Sequence, residues 1–140
     1  MSKESKQPSQ ELAAIQKLIS AGDLPAAMKR LGTLPEVVRT SPDALYMAAV
    51  CCRHMGDFQR SREFLRLLLN ETPLYSRGHQ ELGHLLKQQG LARDALASYG
   101  RACRINPALE ASWRSQLEIL EDAAGPGAEQ RRQHLQAQLQ

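Results

Sequence analysis

The sequence predicts an all-α fold built from antiparallel helix pairs stacked side by side. Three observations carry this expectation. Gly22, Gly56 and Gly90 stand at one interval, since 56 − 22 = 34 and 90 − 56 = 34. Pro73 and Pro107 repeat that interval. Between these breakers the apolar residues recur at helical spacing. Other positions hold the same phase: Leu45 with His79, Ala49 with Gly83, Cys52 with Leu86, and Ala27 with Ser61 and Ala95. A fixed period of this size marks a repeat architecture in which each unit buries its apolar face against its neighbours.

The elements follow in order. Residues 1–7 are polar and read as a flexible N-terminus. Residues 8–41 form a degenerate repeat that keeps Ala14, Leu18, Gly22 and Ala27. Gly32 and Pro35 fall inside what should be its second helix. Pro35 would clash with the carbonyl of Leu31, so that helix is expected to end near Leu31 with a short turn after it. Residues 42–75 form a regular unit. Ser41 suits an N-cap, Pro42 the first helical position, and Asp43 the positive end of the helix dipole. Leu45, Ala48, Ala49 and Cys52 form its inner stripe, Gly56-Asp57 the turn, and Ser61, Leu65 and Leu68 the inward side of its second helix.

Residues 76–109 repeat the scheme. A first helix is expected from Arg77 to Gln89, with Leu82, Gly83, Leu85 and Leu86 inward. Gly90 supplies the positive φ of a tight turn. A second helix runs from Ala92 to Asn106, with Ala95, Leu96, Tyr99, Ala102 and Ile105 inward, and Pro107 stops it. Gly83, Ala95 and Ala102 are small enough for close helix packing. Residues 110–140 are a capping segment. Trp113 is expected as a core anchor, Leu117, Ile119 and Leu120 continue its helix, and Gly125-Pro126-Gly127 breaks it. A last polar helix over 128–140 carries only Leu135 and Leu139 as large apolar residues, as a solenoid end requires.

Counted within each 34-residue unit, these residues resemble the tetratricopeptide repeat. That family has a large residue at slot 4, small ones at slots 8 and 20, Gly near 15, an aromatic at 24, Ala at 27 and Pro at 32. The slots read Leu45, Ala49, Gly56, Ser61, Leu65, Leu68 and Pro73, then His79, Gly83, Gly90, Ala95, Tyr99, Ala102 and Pro107. The second set departs only at His79. The resemblance covers Pro42 to Leu109 and implies a right-handed superhelical α-solenoid whose first helices line a concave groove. It also implies a role in holding other proteins.

The resemblance places Tyr46, Val50, Arg53 and His54 in that groove, then Arg77, Gln80, His84 and Lys87, and Arg114 from the capping helix. Arg53, Arg77, Lys87 and Arg114 make it basic. The expected partner is a peptide or protein, acidic and extended. Some members clamp the C-terminal carboxylate of chaperones with Lys and Asn at slots 5 and 9. Here those slots read Leu12 and Gln16, Tyr46 and Val50, then Gln80 and His84, so that clamp is missing.

Composition excludes several classes. The net charge of +3 lacks the strongly basic face of a nucleic-acid protein. No apolar run suits a signal peptide or membrane span, so neither nucleic acid nor membrane is an expected partner, and a cytoplasmic location is the default. Three cysteines make no disulfide framework. The spacing of His54, His79, His84, Cys51 and Cys52 fits no zinc motif, and no nucleophile–base arrangement or phosphate loop stands out. No catalysis, cofactor or metal is therefore expected. Leu12, Ile15 and Ile19 are a candidate self-association patch if the opening residues fray. The stretch Gly78 to His84, with Arg104 to Arg114, also resembles the N-terminal repeat region of bacterial sulfotransferase-family proteins, which would make this chain the non-catalytic front of a larger enzyme.

Overall fold

The computed structural model describes residues 7–123 and 127–139. The expected flexible N-terminus lies outside these apart from Gln7, as do Gly125 and Pro126. The described residues form nine helices and no strand. They fall into two compact units, one ending at Leu68 and one beginning at Leu69.

The first unit holds α1 (Pro8–Ser20), α2 (Leu24–Gly32), α3 (Glu36–Arg39), α4 (Pro42–His54) and most of α5 (Phe58–Glu71). Helix α2 ends at Gly32, and Pro35 stands at the N-terminal boundary of the short α3 without a side-chain cap bond. The missing amide of Pro35 accounts for the break. The core comprises Ile15, Ala27, Leu31, Leu34, Ala44, Ala48 and Cys51. Leu12 and Ile19 pack partly buried against it, and Ile15 is fully buried. The suggested self-association patch is thus part of the core. Helix α1 is formed from Pro8 onward and turns this stripe inward. Ser41 accepts from the amide of Ala44 at 3.4 Å, and Ser61 donates to the carbonyl of Ala49 at 2.8 Å. That second bond lets a serine occupy a fully buried slot otherwise suited to alanine.

The second unit holds α6 (Ser76–Gln88), α7 (Ala92–Ile105), α8 (Glu110–Asp122) and α9 (Ala128–Leu139). Helix α6 packs on α7, and α8 on α7 and α9. Leu86, Ala95, Tyr99 and Ile119 form a buried cluster, with Leu82 and Leu96 at its edge. Gly83 is where α6 approaches α7. A Cβ there would stand 2.7 Å from two ring carbons of Tyr99.

The three period-marking glycines have φ of 83°, 83° and 78°. Each closes a helix in the same way. The amides of Asp23, Asp57 and Leu91 bond to the carbonyls of Leu18, Cys52 and Leu86 at 2.9, 2.8 and 2.9 Å. This is a Schellman closure, which satisfies carbonyls the helix end would leave unpaired. In the first two turns the aspartate then caps the next helix, accepting from the amides of Ala26 and Arg60. In the third turn Leu91 takes that place and caps nothing.

Candidate functional site

The expected site residues fall in two sets. In the first unit Tyr46, Val50, Arg53 and His54 lie on α4 at spacings of three and four, which puts them on one face. The first three are half-buried and His54 is exposed. Arg53 Nη2 lies 3.2 Å from His54 Nε2. A guanidinium only donates, so Nε2 accepts and Nδ1 carries the hydrogen. Burial, then the Arg53 charge, lowers the His54 pKa and keeps the ring neutral at pH 7.

In the second unit Arg77, Gln80, His84 and Lys87 share one face of α6, and Arg114 lies on α8. Two links tie α6 to α8. Ser112 Oγ donates to Gln80 Oε1 at 2.7 Å. Lys87 pairs with Glu118. His84 Nδ1 is 2.6 Å from the hydroxyl of fully buried Tyr99, and the two rings meet edge to face at 5.3 Å. The face therefore continues into the α6–α7 core. Arg114 Nη2 lies 3.5 Å from Glu110. Lys87 and Arg114 both have carboxylate partners, so this face is of mixed charge rather than uniformly basic. Arg77 is exposed and makes no ion pair among the described residues.

One pattern escaped the sequence reading. His79 Nε2 lies 2.7 Å from the carbonyl of Pro73 and must donate to it. Trp113 Nε1 donates to the carbonyl of Pro107 at 2.8 Å. Donors and acceptors are each 34 apart, so slot 4 carries a ring N–H that satisfies the carbonyl six residues back. The shared phase of His79 and Trp113 was the available signal. It explains why histidine stands where the family has a large residue, and why Trp113 is half-buried rather than a core anchor.

Among the described residues no three His, Cys, Asp or Glu side chains cluster to hold a metal ion. Cys51, Cys52 and Cys103 are buried and form no disulfide. Burial raises the Cys52 thiol and pushes Cys103 up to about 11, with hydrogen bonds from Gln116 and Ser112 opposing it. Neither thiol is a nucleophile at neutral pH. No helix among the described residues is long and apolar enough to cross a membrane.

Paired helices closed by a repeated glycine turn define a helical-repeat protein. Residues 76–109 match the family model described as Tetratricopeptide repeat. Among solved structures, MamA is 17% identical with a TM-score of 0.71, over 94% of this chain and 74% of that one. A thermophilic TPR protein from Thermus thermophilus is 19% identical with a TM-score of 0.76, over 94% and 72%. A mutant O-GlcNAc transferase of Thermobaculum terrenum is 18% identical with a TM-score of 0.77, over 94% of this chain but 26% of that one. These likenesses establish the fold as all-α and of the tetratricopeptide-repeat type. No curated protein sequence matches the chain.

Proposed function

We propose that this chain is a non-catalytic interaction module that binds an extended segment of a peptide or protein partner. In the first unit the contact residues are Tyr46, Val50, Arg53 and His54 on α4; in the second they are Arg77, Gln80, His84 and Lys87 on α6, with Arg114 on α8. The observation that carries this reading is the pair of α6–α8 links, Gln80 with Ser112 and Lys87 with Glu118. They hold long polar side chains in place before a ligand arrives, which lowers the ordering cost of binding. In the second unit an extended peptide offers amides and carbonyls to Gln80 and His84 and a carboxylate to Arg77; in the first unit Arg53 is the cation for a carboxylate. Because Glu118 and Glu110 already face Lys87 and Arg114, a partner with scattered acidic residues suits this surface better than a polyacidic one.

An array of extended acidic and neutral peptides tests the proposal, with the Arg53→Glu/Arg77→Glu variant alongside. Selective binding that the folded variant loses supports it. Binding equal in both proteins removes it. A second reading places the chain as the regulatory or scaffolding front of a larger sulfotransferase-type enzyme. Its support is the resemblance at Gly78 to His84 and Arg104 to Arg114, together with the occurrence of this fold within the O-GlcNAc transferase chain. Sequencing the gene past the codon for Gln140 tests it.

A further inference from the structure

Away from the α6–α8 face, a cleft of about 410 Å³ opens between α7, α8 and α9. Its origin is legible in α9, which is polar on nearly every side. Leu135, 6% exposed, is the one large apolar residue the helix buries. One leucine cannot fill the space above Leu96 on α7 and Leu120 on α8, so the helix roofs a hollow instead of closing it. The volume lies within the ~300–1,000 Å³ range of small-molecule sites, and the floor is apolar as such sites require.

The ionisable groups at this cleft are all basic, beside the neutral amides of Gln116 and Gln130. Arg131 and His134 line it from one face of α9, and no lining residue is acidic. Arg131 is exposed, and its guanidinium makes no ion pair or hydrogen bond among the described residues. Gln116 lines the inner wall and is buried. Its amide nitrogen donates to the carbonyl of Ser112 at 3.3 Å and to the sulfur of Cys103 at 3.4 Å. Its Oε1 receives no hydrogen bond among the described residues. The Gln116 amide oxygen thus opens on the cleft without a donor among the described residues, and the cleft's guanidinium lacks an anion.

We propose that this cleft binds a small hydrophobic carboxylate that also carries a hydrogen-bond donor. The apolar body lies on Leu96, Leu120 and Leu135, the carboxylate meets Arg131 with His134 beside it, and the donor serves Gln116 Oε1. Indole-3-butyrate has these three features and serves as the probe. Amide chemical-shift titration of the full chain is expected to move residues 116–120 and 127–135. The carboxamide of the probe is expected to bind at least ~10-fold more weakly, and the N-methylindole acid at least ~5-fold more weakly, because charge-assisted and buried bonds are lost. Arg131→Gln, on an exposed residue, is expected to abolish the acid–amide difference while leaving amide affinity unchanged. No shifts at these residues would overturn the proposal. So would equal affinity for acid and carboxamide, which would make the cleft an apolar surface for a partner's side chains. Unchanged discrimination in Arg131→Gln would overturn the role of Arg131, and equal binding of the N-methyl acid would overturn that of Gln116.

Discussion

Replacing Gly83 with alanine is a sensitive probe of the packing between α6 and α7. The added Cβ would stand 2.7 Å from Cδ1 and Cε1 of Tyr99 and 2.9 Å from Cγ. Carbon atoms pack at about 3.5–4.0 Å, so the ring must retreat by roughly 0.8 Å. It has little freedom to do so. Tyr99 is 0% exposed, and its hydroxyl is held 2.6 Å from His84 Nδ1. Overpacking costs about 1–3 kcal/mol, and a disturbed hydroxyl bond adds about 0.5–1.5. Alanine returns about 1 kcal/mol in helix propensity. The net expectation is a loss of about 0.5–3.5 kcal/mol, a fall in Tm of some 2–4 °C per kcal/mol for a chain of this size. Gly100→Ala is the control, because its nearest neighbours would be 3.9 Å away. That variant should gain about 0.5–1 kcal/mol. Urea unfolding of both variants, and of Gly83→Ala in a Tyr99→Leu background, checks the argument. The Gly83 penalty should shrink by at least ~1 kcal/mol once the ring is gone. A neutral or stabilising Gly83→Ala would refute the packing account.

Three further outcomes are expected. Leu91→Asp should supply the cap that Asp23 and Asp57 give their turns and remove a leucine that is 43% exposed. A gain of about 1 kcal/mol in thermal or urea unfolding is predicted, and a loss would show that Leu91 packs instead of capping. His79→Phe should cost about 0.5–1.5 kcal/mol by stranding the Pro73 carbonyl, whereas His79→Trp should be milder because indole keeps the N–H. Cys103 gives a pH signature. Its raised folded pKa stabilises the protein below the unfolded thiol value of about 8.5, and that contribution is lost as pH rises through about 11. Unfolding free energy should therefore fall between those limits, less steeply in Cys103→Ala than in the parent protein.

The helical phase of the chain was readable because it rests on backbone constraints that single residues announce. A glycine with positive φ followed by a Schellman closure is local, and it recurs at Gly22, Gly56 and Gly90. Pro35 likewise announced the early end of α2. What the sequence withheld depends on partner choice across helices. Lys87 and Glu118 are 31 residues apart, and Gln80 and Ser112 are 32 apart. Their meeting depends on how α6 and α8 pack and on rotamers that no periodicity encodes, so four cations read as a basic face. Buried polar residues were missed for a related reason. Ser98, Ser112 and Gln116 sit at core positions because specific partners and packing admit them, not because they are apolar. The Ile15 stripe was legible as apolar, but whether it faced solvent depended on α1 forming from Pro8.

The measurement that bears most directly on the central claim is amide chemical-shift mapping of the tightest array peptide on the full chain. Shifts concentrated on α4, α6 and α8, at Tyr46, Arg53, Gln80, His84 and Arg114, are the predicted result. Shifts confined to the outer residues of α5 and α7 would contradict it and move the binding surface to the second helices.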